Sequence, residues 1–388
     1  MTENAMKIIF FMTPAYGHIL PVLPILKELT AKGYSVICYT TPQFRERVEG
    51  LGASYREYGP EFQDLKLDEV TSDLYVLMDT LITFNEKLYD LYINEVRNES
   101  PDLLMYDSML SFAKNIAFKL KLKSACMVAT IGFNLPVCMF SNIFTTSVPL
   151  VLKNGSGMNR LIRQDKKFRK ERGLGRFRLI DLYMNTADLT LVMTPAKLQP
   201  MAKTFPESVH FVGTTIKEQI VMYHGAEYED YDCYISMGTV FANNVNKMRE
   251  FLELPEMKEK KIIISTPDAP EWLSAMSNVR TERWVYNVDL IPKCKLFINV
   301  GGAGSVYTAM YYGVRQISIP AQEEERYNAR ILHKHKGGIY LKKYDTNKLL
   351  TAVRSIDRLN PDKCRKIIRE SDGTGTSVKL IEELIMER

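Results

Sequence analysis

Cysteine is scarce and scattered in this 388-residue chain, with six residues at 38, 126, 138, 233, 294 and 364. None stands in a CxxC pair or beside a histidine that would complete a zinc ligand set, so no metal site is expected. The spacing reads as reduced, buried thiols of a cytoplasmic protein. An excess of one charge is also missing, since 51 Lys and Arg face 46 Asp and Glu for a net +5. That is too little to argue for nucleic acid, and no nucleic-acid partner is expected. Long hydrophobic runs are few. Ile8 to Met12 is broken at once by Pro14, Gly17 and His18, and reads as a buried first strand, not a signal peptide. Ala125 to Leu152 carries no charge for 28 residues, but it contains Asn134, Pro136, Asn142, Thr145, Thr146 and Pro149. A lipid-exposed helix would have to satisfy those groups internally, so the stretch reads as a buried strand running into an apolar loop or helix.

What is present is the composition of a globular protein, with 46% hydrophobic, 25% charged and 10% aromatic residues. Disorder, collagen and coiled coil are excluded as the main state. The length suits two domains. Lys7 to Met12, a Gly/Pro loop, a helical stretch from about Leu20 to Lys32 and Ser35 to Thr40 form a strand-helix-strand unit of a parallel sheet. Asp102 to Tyr106, Ser124 to Ala129, Leu189 to Met193 and His210 to Val212 read as further strands. After Gly213 the chain turns rich in tyrosine and acidic residues and weak in periodicity, which marks a boundary. Cys233 to Ser236, Lys261 to Ser265, Lys295 to Val300 and Gln316 to Ile319 then repeat the pattern. The expected fold is therefore α/β, with two doubly wound, Rossmann-like parallel-sheet domains over 1–220 and 221–388 and a ligand cleft between them. In sheets of this kind ligands bind beyond the carboxyl ends of the strands.

Three loops follow expected strands directly. The first puts His18 before a helix, after a turn allowed by Gly17. A neutral imidazole suits removal of a hydroxyl proton near neutral pH, although a histidine here can equally cap or pack. The second begins at Asp107, which could orient that imidazole or cap the next helix. The third, Val300-Gly301-Gly302-Ala303-Gly304-Ser305, is of the phosphate-cradle type, with backbone N–H groups at a helix start, or else a turn chosen for close packing. It is neither a GxGxxG fingerprint, because Tyr307 takes the third glycine position, nor a Walker loop. Gly238-Thr239 offers a second such turn.

Together these loops resemble the GT-B nucleotide-sugar glycosyltransferases of the macrolide and flavonoid branch. The likeness runs through "MKIIFFMTPAYGHILPVLPILKEL" at the start, "PDLLMYDSM" at 101, "HFVGTTI" at 210, "YISMGTV" at 234 and "KLFINVGGAGSVYTAMYYGVRQISIPAQEEERYNARIL" at 295. It implies inverting transfer, with His18 as acceptor base and Asp107 as its orienting carboxylate. It places the donor at Gly17, Gly238, Thr239, Trp284, Val300, Gly301, Gly302, Gly304, Ser305, Glu324 and Glu325. The nucleotide-sugar would be a co-substrate, with no further cofactor and no metal. The final helix of the family packs back on the N-terminal domain.

The donor side departs from the family pattern at four places. Val300 replaces a histidine, Thr308 a glutamate and Glu325 a glutamine, while Tyr286-Asn287 stands where Pro-Gln is usual. Thr308 favours a dTDP-sugar over a UDP-sugar. These departures leave open a relative that binds a nucleotide or partner protein without turnover, or a GT-B enzyme with another reaction. The resemblance puts the acceptor, a hydrophobic natural product or lipid, in the N-terminal domain. There Tyr75, Phe84, Leu88, Tyr89 and Tyr92 read as core or as the lining of an apolar pocket. From Lys153 to Arg178 ten Lys or Arg stand against Asp165 and Glu171. That +8 patch follows an uncharged segment, so residues 135–180 read either as an element touching the inner face of an anionic membrane or as a solvated basic helix.

Overall fold

The computed structural model describes residues 5–62, 74–140, 155–175, 184–237 and 242–387. The chain divides into two compact units, Met1–Gly213 with Gly373–Arg388, and Thr214–Asp372. Each is built on one parallel sheet covered by helices.

The first unit holds β1 (Lys7–Phe11), β2 (Ser35–Thr40), β3 (Ser54–Glu57), β4 (Leu103–Asp107), β5 (Ser124–Val128), β6 (Leu189–Val192) and β7 (Val209–Phe211). They lie in the order β3-β2-β1-β4-β5-β6-β7, all parallel. The central strands are apolar on both faces because helices cover both, and β4 and β5 are buried along their whole length. On one side Phe11 stacks on Tyr39 and meets Tyr92 and Phe112 edge to face. Phe84, Leu88, Tyr89 and Tyr92 of the Leu74–Glu99 helix are all buried in this core. They are packing residues, which resolves the choice that the sequence left open; the Tyr75 side chain lies outside the described residues.

The final helix, Gly373–Met386, belongs to this unit and packs on the Leu23–Ala31 helix. Lys123 Nζ donates to the carbonyls of Leu384 and Ile385 at 2.8 and 3.0 Å. A cation there satisfies orphan carbonyls and opposes the helix dipole.

The second unit holds β8 (Tyr231–Ser236), β9 (Ile262–Ser265), β10 (Val279–Glu282), β11 (Cys294–Asn299), β12 (Arg315–Ser318) and β13 (Gly338–Tyr340), in the order β10-β9-β8-β11-β12-β13. The Ile216–Tyr223 helix packs on the Asn287–Leu290 turn and the Ala303–Tyr312 helix, so the unit begins at Thr214, seven residues before the boundary expected from sequence. Three strands were not foreseen: β3 (SYRE), β10 (VRTE) and β13 (GIY). All three are edge strands, half solvated, and need no apolar run. The six cysteines are buried free thiols.

Candidate active site

In each sheet the strand order reverses between two neighbours, β1/β4 in the first unit and β8/β11 in the second. The loops leaving such a pair diverge and open a crevice at the strands' carboxyl ends. Those pairs carry the loops singled out above.

In the first unit Phe11 pairs with Tyr106, so the chain after β1 starts level with Asp107, the last residue of β4. A single helical turn, Tyr16–Ile19, then brings His18 back over that end. His18 Nδ1 lies 2.7 Å from Asp107 Oδ2. The other carboxylate oxygen accepts from Thr13 Oγ1 at 2.8 Å and from the Met109 backbone N–H at 3.0 Å. The imidazole is one-fifth exposed and the carboxylate almost fully buried. Burial pushes the Asp107 carboxyl up, but the attraction of His18 and the hydrogen bonds from His18, Met109 and Thr13 outweigh it and hold the group below its ordinary range. Its contribution to stability is therefore present above the unfolded pKa, about 3.9, and is lost as pH falls through the lower folded value. Asp107 does not cap the next helix; the N-cap of Ser111–Leu120 is Leu110, and Asn85 Oδ1 accepts from Phe112 N. Thr13, whose hydroxyl holds the carboxylate, was not picked out from sequence.

Gly17 requires a correction. It sits inside the Tyr16–Ile19 turn without a positive φ, and a Cβ there would meet open space. No tight turn depends on it.

In the second unit the chain after β11 turns at Gly301 into the Ala303–Tyr312 helix. Gly301 has φ +99°, and a Cβ on it would lie 2.6 Å from the Glu325 carbonyl oxygen. Asn328 Nδ2 donates to the Gly301 carbonyl at 2.9 Å, clamping the loop to the Glu323–Lys334 helix. Gly302 is the N-cap, and Gly304 and Ser305 lie in the first turn, where helix N–H groups have no intrahelical acceptor. Val300 points inward as a core residue, packed with Ile298, Ile317 and Ile319, so it offers nothing to a ligand.

Two of the expected donor ligands differ in what they can do. Glu325 Oε2 accepts from Ala321 N and Gln322 N, forming a capping box with Gln322. Burial pushes its carboxyl above the usual range against those two bonds. Its Oε2 is thus committed to the helix start, a structural role separate from any contact with a sugar hydroxyl. Glu324, half-buried on the next position, keeps Asn328 Nδ2 as a distant partner at 3.4 Å. Thr308 is buried and donates to the Gly304 carbonyl at 2.8 Å. Trp284 and Tyr286 are partly exposed beside the Asn287–Leu290 turn. Gly238 and Thr239 lie outside the described residues. Among the described residues no group of three or more His, Cys, Asp or Glu could hold a metal ion.

Residues 253–383 match the family model of the erythromycin biosynthesis protein CIII-like C-terminal domain. The uncharacterized UDP-glucosyltransferase YojK of Bacillus subtilis (strain 168) is 23% identical over 96% of this chain and 95% of its own. A solved structure, the glycotransferase of kitacinnamycin, superposes with a TM-score of 0.83 at 18% identity, covering 98% of this chain and 99% of that one. The spinosyn rhamnosyltransferase SpnG, solved with thymidine diphosphate, gives a TM-score of 0.68 at 17% identity, covering 97% of this chain and 100% of that one. Along nearly its whole length, then, the chain is similar to nucleotide-sugar glycosyltransferases, and its two parallel-sheet α/β units have the GT-B fold.

Proposed function

We propose that the protein moves a hexosyl group from a nucleoside-diphosphate sugar to a hydroxyl of a hydrophobic natural product or lipid, with inversion at the anomeric carbon. The observation that carries this reading is the 2.7 Å contact between His18 Nδ1 and the buried Asp107 carboxylate. Accepting from Nδ1–H, Asp107 fixes the tautomer that leaves a lone pair on Nε2. Nε2 takes the acceptor's hydroxyl proton as its oxygen attacks the anomeric carbon. The bond from that carbon to the diphosphate breaks, and its electron pair leaves on the phosphate oxygen. Asp107 stabilises the imidazolium so formed. Backbone N–H groups at the Ala303–Tyr312 helix start and the Ser305 hydroxyl meet the leaving diphosphate's charge, and the proposal needs no metal or further cofactor.

Thr308 supports a deoxyribose nucleotide. Its hydroxyl proton is already given to Gly304, so no carboxylate stands at this position for a ribose 2′-hydroxyl. The expected result is a larger rise in melting temperature with dTDP than with UDP at equal millimolar concentration, because a bound ligand stabilises by mass action. A larger rise with UDP would overturn that preference, and none with either would favour a relative that has lost the donor site, as the inward-facing Val300 would allow.

We also propose peripheral contact with an anionic membrane. On the Gly155–Arg172 helix Leu161 and Phe168 face inward, with Phe168 against Tyr89 and Arg172 paired to Asp90. Arg160, Arg163, Lys166, Lys167 and Lys170 recur at helical spacing on the exposed face. Leu135 and Met139 are exposed one turn apart on the Leu135–Phe140 helix. Residues 141–154 and 176–183 lie outside the described residues. The full chain should sediment with vesicles containing phosphatidylserine and not with phosphatidylcholine alone, and R163E/K166E/K167E/K170E should stay in the supernatant. Equal sedimentation of the variant would refute this contact.

A further inference from the structure

One hydrogen-bonded chain of the second unit runs from the sheet to the glycine loop. Tyr234, on the central strand β8, is buried and its ring stacks on Phe297 at 4.7 Å. Its hydroxyl donates to Asn287 Oδ1 at 3.0 Å and also lies 3.0 Å from Ser265 Oγ, which is 3.2 Å from Ser236 Oγ. Asn287 Nδ2 in turn donates to Ser305 Oγ at 3.0 Å. Ser236 and Ser265 end β8 and β9, Asn287 opens the Asn287–Leu290 turn, and Ser305 lies in the first turn of the Ala303–Tyr312 helix.

The direction of these bonds matters. Burial pushes the Tyr234 hydroxyl up to about 12, so it keeps its proton at neutral pH and remains able to donate. A tyrosine proton given to Oδ1 fixes which end of the Asn287 amide faces Ser305. The NH₂ end can only donate, so Ser305 Oγ is used as an acceptor there. Its own proton must then point elsewhere, and no protein acceptor takes it among the described residues. Serines in helices commonly turn that proton back on a carbonyl one turn earlier. Thr308, on the same helix, does so with Gly304.

We propose that Asn287 is a positioning residue for the donor. Held by Tyr234, it occupies one lone pair of Ser305 Oγ and leaves the serine proton to be given to a diphosphate oxygen at the helix N-terminus. This rests on the donor reading above and adds to it. Asn287 does not touch the diphosphate; it sets the rotamer and polarity of the residue that does. Tyr234, on a rigid strand, is what makes that setting single-valued.

The test uses the full chain with dTDP and thymidine as probes, binding being measured by calorimetry. N287A and S305A should each weaken dTDP roughly tenfold, the scale of one hydrogen bond to a charged oxygen, and leave thymidine unchanged. The double variant N287A/S305A should bind dTDP no worse than S305A alone, because Asn287 acts only through Ser305. Y234F, which removes a single oxygen from a buried ring, should move dTDP in the same direction and serves if N287A does not fold. Equal weakening of dTDP and thymidine, or additive losses in the double variant, would overturn the proposal. If the wild-type chain binds neither dTDP nor UDP, the donor reading itself fails; if it binds and the cycle shows no coupling, only the role of Asn287 fails.

Discussion

His18→Ala is expected to lower acceptor glycosylation about 10²- to 10⁴-fold, the usual contribution of a positioned general base, while nucleotide binding is unchanged. The substitution removes Nε2, the atom that takes the hydroxyl proton, and lies in the first unit, whereas the glycine loop belongs to Thr214–Asp372. It should not unfold the first unit. Asp107 Oδ1 keeps Thr13 and Met109 as donors, and loss of the Oδ2 contact costs about 1–3 kcal/mol. Because Asp107 is held below its ordinary range, it stays ionised from pH 5 to 9. Any loss of turnover on the acid side of that window therefore does not come from protonation of Asp107. Turnover by His18→Ala within a factor of three of wild type would remove the histidine from the mechanism.

The second large effect belongs to the glycine loop. Gly301→Ala places a methyl group 2.6 Å from the Glu325 carbonyl oxygen at a backbone angle of φ +99°. Left-handed backbone costs a non-glycine residue about 1–2 kcal/mol, and overpacking against main chain adds about 1–3 kcal/mol. Neither can be relieved by turning a side chain, since the neighbour is backbone. The loop must shift away from the Glu323–Lys334 helix, stretching the Asn328 bond and moving the N–H groups that the proposal assigns to the diphosphate. The expected outcome is a fall in melting temperature together with loss of the dTDP-induced rise. Gly302→Ala and Gly304→Ala, where a Cβ meets open space, are the controls and should melt near the wild-type temperature.

The parts of the fold that were legible are those where one physical rule dominates. Strands such as β1, β4, β8 and β11 are buried on both faces and show as apolar runs, and they sit at the two points where strand order reverses. Edge strands escape that rule, which is why β3, β10 and β13 were missed. Of the site, His18 and Asp107 were legible because each directly follows or ends such a run, and parallel pairing of neighbouring strands brings them together. The resemblance gave Glu325 a sugar-binding role, and its part in holding the helix start was not foreseen. The competing signal, an N-cap residue three positions before an acidic one, was weakened by glutamine at the cap. The Tyr234–Asn287–Ser305 chain had no sequence signal, since its members are 53 and 18 residues apart and meet only in the folded unit.

The central claim is that His18 drives sugar transfer. It is tested most directly by chromatographic counting of nucleoside diphosphate released from a dTDP- or UDP-hexose, with and without a panel of hydrophobic hydroxyl compounds, for the wild-type chain and His18→Ala. Release that depends on an added hydroxyl compound and disappears in His18→Ala, while both chains show the same nucleotide-induced rise in melting temperature, is the expected result. Release of equal rate from both chains would contradict it.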